Sequence, residues 1–484
     1  MDDLAQENQR LKQENQALRE ALAQMQQQLA AVQQQLADLQ ARLDQNSRNS
    51  HWPSSRDKPR SKAVTRSLRQ KSERQAGGQT GHPGHTLEMS PTPQQVVVHR
   101  PETCPHCRAV FAAEQAAQAS TKRQVFDLPP IELIVTEHRV ETLVCPECGA
   151  WVSGEFPAAV SQPTQYGPRI QRLAVYLKTE QLVPYERSQQ FLADVCGVHL
   201  SLGTLENFVR QAAQRLCPVV AQIKQALIGS PVVHFDESGF YIEGQRHWLH
   251  SAGTPTLTHY AAHRRRGRIA TEALRVLPQF HGTAIHDFLA VYLGYEDCQH
   301  GLCNVHHLRD LNGVLETMPQ AWQWRFKVLL LGAKQAVAQA KATGLSALPP
   351  PKLAQIEALY ARLVQVALQT ESPPIGGWPK GARGRVRKSK ARNLAERFAE
   401  QQAAVPAFVY DFKVPFDNNL AERDLRMLKV QHKISGCFRS AEGADDFCTI
   451  RSYTSTLRKQ GLSVWQALAS VFTGKCLLPR LTPV

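Results

Sequence analysis

Long apolar runs are missing from this 484-residue chain. The longest, near Phe326–Leu331, is too short to span a bilayer and is bracketed by Lys327 and Lys334, so no membrane association is expected. Acids are scarce as well: 42 Asp plus Glu face 57 Lys plus Arg, for a net charge of +15. A surplus of that sign points to a polyanionic partner, nucleic acid before lipid. A secretory leader is not expected either, because Met1-Asp2-Asp3 has the wrong charge and Gln-rich sequence follows it. Eleven cysteines, an odd number spread thinly, make a poor disulfide framework and fit a reducing cytoplasm with metal-bound thiolates. What is present is a 42% apolar chain, enough for a sizeable core, at a length that suggests about three domains.

Residues 1–45 carry a seven-residue repeat. Leu4, Leu11, Leu18, Met25, Val32 and Leu39 form one series, and Asn8, Asn15, Leu22, Leu29, Leu36 and Leu43 follow four residues behind. Alternating spacing of three and four predicts a coiled-coil seam, with the Leu4 series at d and the Asn8 series at a. Asn8 and Asn15 favour a register-locked pair, since each amide needs a partner amide in an apolar seam. A homodimer or higher oligomer through this helix is therefore expected.

Residues 46–93 read as a basic arm or linker. Arg66, Arg69, Lys71 and Arg74 meet few acids there, and a Gly- and His-rich stretch, Gly77–His85, follows. Such a composition builds no core and suits a segment laid along phosphates. Residues 94–158 contain Cys104-Pro105-His106-Cys107 and Cys145-Pro146-Glu147-Cys148, with strand-like Gln124–Leu128 and Leu133–Arg139 between them. Two C-x-x-C turns facing each other predict a zinc ribbon in which Cys104, Cys107, Cys145 and Cys148 hold a structural Zn²⁺ in a DNA-binding module. Residues 160–227 are helical. Gly197 and Ser201 frame a turn between two helices, which outlines either a helix-turn-helix presenting Asn207 and Arg210 or a plain helical hairpin.

Residues 228–435 carry the acids of interest. Pro231–Asp236 is a short apolar strand ending in a carboxylate; Gly244–Ala252 and Leu257–Ala262 follow, then a helix, then strand Gly282–His286 delivering Asp287, then Cys298–Asn304. Hairpin-linked strands followed by alternating helices and strands predict a ribonuclease-H-like mixed sheet with Asp236 and Asp287 at one edge. Glu422 is the expected third acid, one turn inside a helix capped by Asp417 or Asn418. Arg426, Lys429 and Lys433 share its helical face and suit DNA phosphates, and Arg439 lies further along. Three carboxylates make an all-oxygen site for two Mg²⁺ ions, which would activate an attacking oxygen and stabilise a leaving one at phosphorus. Between the acids, about 315–405 reads as a helical insertion with helices at Leu315–Ala342 and Leu353–Leu368 and a basic cluster at Lys380–Arg392. Residues 436–484 read as a C-terminal helical module. The expected fold is thus multidomain α+β: coiled coil, zinc ribbon, helix-turn-helix-like region, and mixed α/β catalytic domain.

His-Phe-Asp236-Glu-Ser, Ile-His-Asp287-Phe and Asp-Asn-Asn-Leu-Ala-Glu422-Arg-Asp-Leu-Arg resemble the acidic triad of the insertion sequence 66 family of DDE transposases. The likeness runs in order through the Gly/His arm, both zinc knuckles, Leu182–Arg187, Ser201–Leu205 and Lys433–Ser440. Phe288 stands where the family often has Gly, and the bases after Glu422 are placed differently. The resemblance implies a bacterial, nucleoid-associated DNA transposase. It would bind terminal inverted repeats, cleave element ends with Mg²⁺ (Mn²⁺ as substitute), and join the freed 3′-hydroxyl to target DNA, with accessory proteins of the same element as further partners. Cys303-Asn304-Val305-His306 resembles a C-x-x-H element of several transposase groups, which either supports the active site or is a buried thiol beside a satisfied imidazole. The alternative is a catalytically inactive, transposase-derived DNA-binding regulator.

Overall fold

A computed structural model describes residues 87–371 and 388–482, with residues 15, 16, 18–26, 28, 29, 32, 33, 36, 39, 40, 43 and 49 ahead of them. Arg66, Arg69, Lys71 and Arg74, expected on DNA, lie outside the described residues, as do Leu4, Asn8, Leu11 and most of Lys380–Arg392. The described positions from 15 to 43 are helical, and the seam residues Leu18, Leu22, Met25, Leu29, Val32, Leu36, Leu39 and Leu43 are each more than half exposed. Among the described residues no helix is long and apolar enough to cross a membrane.

The chain divides into two compact units, residues 63–134 and residues 1–62 with 135–484. In the smaller unit, Thr103 and Val110 bridge antiparallel and fold Cys104–Cys107 into a tight turn. Gln124 pins Ser90, its Oε1 accepting from the Ser90 N–H at 2.7 Å and its Nε2 donating to the Ser90 carbonyl at 2.8 Å. The strands expected at 124–128 and 133–139 do not form. Pro129 and Pro130 offer no N–H between them, and Val125, Leu128 and Val135 stand exposed with no packed face to support a pleat.

In the larger unit, β1 (Thr142–Val144) and β2 (Trp151–Ser153) form an antiparallel hairpin around Cys145–Cys148. Three helices follow: α1 (Pro168–Thr179), α2 (Tyr185–Cys196) and α3 (Leu202–Ile228). The left-handed Gly197 (φ 63°) ends α2, and Ser201 caps α3 by accepting from the Thr204 N–H at 3.1 Å. Over its 27 residues α3 buries Leu205, Val209, Leu216, Ile223 and Leu227 on one stripe, so it is first of all a core helix. Asn207 and Arg210 remain on its exposed side, Arg210 paired with Glu206 at 2.8 Å.

The central sheet contains β3 (Val232–Ile242), β4 (Gln245–Gly253), β5 (Thr258–His263), β6 (Thr283–His286) and β7 (Gln299–Leu302), in the order β5-β4-β3-β6-β7. β3 pairs antiparallel with β4, and β4 with β5; β3, β6 and β7 run parallel. Two short helices, α4 (Arg268–Leu274) and α5 (Ala290–Leu293), lie in the connections before and after β6. Helices α6 (Asn304–Thr317), α7 (Ala321–Ala342), α8 (Pro350–Thr370), α9 (Lys390–Glu400) and α10 (Ala407–Tyr410) then build a second core with Ile285 and Leu302. The helix expected over Leu315–Ala342 is broken at Met318-Pro319-Gln320, where proline cannot continue α6 and Gln320 and Gln323 cap α7 reciprocally.

The chain closes with α11 (Asn419–Ser435), α12 (Ala441–Lys459) and α13 (Val464–Phe472). The described part of 436–484, expected as a C-terminal helical module, is helical and packs into the main core. Ile450, Tyr453, Leu457 and Val471 join the cluster that holds α1, α3 and the β3 residues Val233 and Phe235. On the opposite face of β3, Phe240 and Ile242 meet Leu425 and Leu428 of α11. Alternation along β3 therefore commits its odd positions to the main core and its even positions to α11.

Candidate active site

That alternation aims Asp236 at α11. β3 and β6 run parallel with His234 opposite Ile285, and two residues further on Asp236 stands level with Asp287, which follows the end of β6. Asp287 Oδ1 accepts from the Leu289 N–H at 3.1 Å, and Asp236 Oδ1 from the Glu237 N–H at 2.9 Å. The third acid arrives on α11, whose N-cap, Asn418, makes no side-chain cap bond. Its amide is spent on β3 instead. Oδ1 accepts from His234 Nδ1 at 2.7 Å, Nδ2 donates to the Phe235 carbonyl at 2.8 Å, and the Asn418 N–H donates to Cys303 Sγ at 3.2 Å. Burial pushes His234 down to about 4, so its imidazole is neutral and free to donate. Asp417 carries the local turn, accepting from the Asn419 N–H at 3.1 Å.

Electrostatics ties the acids together. Burial raises Asp236 well above the usual carboxylate range, and the neighbouring charges of Glu237, Asp287 and Glu422 add to the rise. Asp287 is pushed up to about 6, by burial first, then by Glu237, with Glu422 adding a smaller push. Glu422 Oε1 is buried, has no hydrogen-bond partner among the described residues, and lies 3.8 Å from His306 Nε2. Cys303, His306 and Glu422 place their donor atoms within 4.8 Å of one another; Asp236 and Asp287 are not part of that tighter group. Cys303 is buried, which pushes its thiol up to about 12, and its sulfur accepts from Asn418, so it acts as a neutral acceptor beneath α11.

The expected DNA contacts are distributed unevenly. Arg426, Lys429 and Lys433 are exposed on α11. Arg439 is exposed but pairs with Glu186 at 2.8 Å. Lys388 and Arg392, the described ends of the insertion's basic cluster, are engaged by Glu396 at 2.5 and 2.9 Å, and Arg392 also donates to the carbonyls of Leu368 and Glu371. These two side chains hold the insertion together and are not free to carry charge outward.

Sequence reasoning missed Glu237 and the Asn418 clamp. The Glu237 side chain is 1% exposed, pairs with Arg266 at 2.6 Å and accepts from the Tyr292 hydroxyl. The signal was its parity with Val233 and Phe235, which puts a carboxylate on a core face where it needs buried partners. Asp424, two residues past Glu422, is likewise structural: it binds Lys459 at 2.6 Å, joining α11 to α12.

The two cysteine turns have the same local build. The Cys104 N–H donates to the Ala109 carbonyl at 2.9 Å and the Arg108 N–H to the Cys104 carbonyl at 2.8 Å; the Cys145 N–H donates to Ala150 at 2.8 Å and the Gly149 N–H to Cys145 at 2.9 Å. Arg108 (φ 61°) and Gly149 (φ 73°) occupy the same left-handed corner. In each turn the backbone N–H groups of the two residues ending at the second cysteine lower the first thiol below its usual range, Cys107 and His106 acting on Cys104, and Cys148 and Glu147 on Cys145. Thiolate is the form that binds zinc, so the donor chemistry suits that ion.

Residues 163–446, more than half of the chain, match the family model described as Transposase IS66 family. Residues 101–149 match the zinc-finger binding domain of transposase IS66, and residues 3–88 match a family of unknown function, DUF6444. No curated protein matches the chain. The matches define a transposase with a zinc-finger domain. The chain belongs to the IS66 transposase family.

Proposed function

We propose that this transposase binds terminal inverted repeats and cuts and joins DNA at Asp236, Asp287 and Glu422, which hold two Mg²⁺ ions, Mn²⁺ serving as a substitute. The observation that carries the reading is that Asp236 on β3 stands level with Asp287, just past the end of the parallel neighbour β6, and that the Glu422 charge acts on both. Three antiparallel strands followed by a parallel pair support a ribonuclease-H-like sheet. The residues fit the metal. All three donors are carboxylates, the class hard cations take, and the buried Glu422 Oε1 lacks a hydrogen bond among the described residues. A pair of ions about 3.5–4 Å apart does not require every donor to lie within reach of a single ion.

When bound, the ions supply the charge that activates an attacking oxygen and stabilises the leaving one at phosphorus. The chain's own groups hold the donors in place. Leu289 N–H orients Asp287, Asn418 fastens the start of α11 to β3, and Cys303 and His306 back Glu422 from α6. Arg426, Lys429 and Lys433 continue from Glu422 as a ladder for DNA phosphates. Residues 1–45 pair copies of the chain through the exposed Leu/Met seam, and residues 94–158 bind one structural Zn²⁺ through Cys104, Cys107, Cys145 and Cys148.

The test is joining of labelled element ends to supercoiled target with Mg²⁺ or with chelator. Joined product is expected only with Mg²⁺, and Asp236→Asn or Glu422→Gln should bind the ends yet join nothing. Undiminished joining by either variant overturns the assignment. End binding by the unmodified protein with no metal-dependent nicking would make it a DNA-binding regulator instead.

A further inference from the structure

From the end of β5 into α4 the chain reads His263-Arg264-Arg265-Arg266-Gly267-Arg268, of which only Arg266, the partner of Glu237, has entered the site so far. Arg266 anchors the turn at the acids. Its guanidinium donates to Glu237, the neighbour of Asp236, at 2.6 and 2.7 Å, and lies over the Trp248 ring at 4.8 Å. The backbone is shaped from both sides. His263 Nδ1 accepts from the Arg265 N–H at 2.9 Å, and His250 Nε2 on β4 reaches the Arg265 carbonyl at 3.4 Å. Arg268 is compensated by Glu272 at 3.3 Å. Arg264 and Arg265 are not: both are exposed, and neither guanidinium has a hydrogen bond or ion pair among the described residues.

We propose that this arginine turn is a DNA-backbone site, with Arg264 and Arg265 gripping the phosphates next to the one being cut. The inference rests on the reading of Asp236, Asp287 and Glu422 as the cutting site. Two residues of chain span at most about 7 Å, so the Arg264 Cα lies within that distance of the Cα of Arg266, whose side chain is fastened to Glu237. Were the turn there only to neutralise the carboxylates, its outer arginines would pair with them as Arg266 does with Glu237. Arg264 and Arg265 stay exposed and unpaired on a turn fastened to Glu237, so their partner comes from outside. Planar guanidinium forks favour two-point contact with phosphate oxygens, and successive phosphates of one strand advance only about 3.4 Å along the duplex axis.

The experiment compares the full-length protein with the double variant Arg264→Ala/Arg265→Ala on an element-end duplex, measuring affinity across a salt series and hydroxyl-radical footprints. Each lost phosphate contact lowers the slope of log K against log salt by about 0.9, so the slope should fall by about 2. Protection next to the cleavage position should vanish while protection inside the repeat stays. Arg264→Lys/Arg265→Lys should keep the slope, and the Mg²⁺-induced thermal shift should match the unmodified protein in both variants. An unchanged slope and footprint in the alanine variant overturns the arginine-turn proposal alone, as does loss of its Mg²⁺ shift, which would make the turn structural. If the unmodified protein leaves the cleavage position unprotected, the cutting-site reading fails first and this proposal with it.

Discussion

Replacing Asp287 by Asn should make the metal-free protein more stable at neutral pH and remove its response to Mg²⁺. Asp287 is raised from the ordinary 3.8 to about 6, mainly by burial and then by Glu237. A carboxyl raised on folding keeps its proton longer in the folded state, so its ionisation weakens the fold as pH climbs from about 4 to 6, and the full penalty applies above that window. At roughly 1.4 kcal/mol per tenfold change in proton affinity, the penalty is about 2–3 kcal/mol at pH 7.5. Asparagine is neutral and nearly isosteric, and its Oδ1 still accepts from the Leu289 N–H, which Asp287 binds at 3.1 Å. Thermal melts in chelator at pH 7.5 should therefore show the variant higher by roughly 3–4 °C, with the gain shrinking towards nothing near pH 4. Adding Mg²⁺ should raise the unmodified protein, by about 2.7 kcal/mol at a hundredfold excess over the dissociation constant, and leave the variant unmoved. A variant that is less stable at pH 7.5, or equally stabilised at every pH, would refute the reasoning.

Asn418→Ala should strip two buried hydrogen bonds, the 2.7 Å contact with His234 and the 2.8 Å contact with the Phe235 carbonyl, and strand both partners. A loss of about 2–5 kcal/mol in urea unfolding is expected, together with slower single-turnover joining at unchanged end affinity; a loss well under 1 kcal/mol would contradict the clamp. Cys104→Ser or Cys148→Ser should abolish stoichiometric zinc in a metal assay of the purified protein, and full retention by either variant would contradict the four-thiolate site.

The acidic strands were legible as short apolar runs leading to a carboxylate, but β3 does not stop at Asp236: it runs on to Ile242, because its alternate residues stay packed on both faces. Strand register brings Asp236 level with Asp287, and the Glu422 charge adds to the rise of both. The segment 124–139 misled because an apolar alternation reports a half-buried surface, and these side chains have none. Pro319 splits a helix that periodicity alone would have run through. The packing of α12 and α13 against α3 was not legible, since an amphipathic stripe states that a face is buried but not what covers it. Asn418 looked like a cap and is a cross-link. Arg264 and Arg265 carry no signal of their own in the sequence, because whether a guanidinium is already paired depends on tertiary neighbours.

Iron-mediated cleavage of the polypeptide reports whether the three acids share bound ions. Fe²⁺ taking the place of Mg²⁺ in a carboxylate site, with added hydrogen peroxide as oxidant and ascorbate to re-reduce the iron, generates hydroxyl radicals that cut the nearby backbone, with no DNA needed. The account predicts peptide cuts close to residues 236, 287 and 422 together, suppressed by excess Mg²⁺ and lost in Asp236→Asn. Cuts at only one of these positions, or a pattern unchanged by Asp236→Asn, would show that the three acids do not share bound ions.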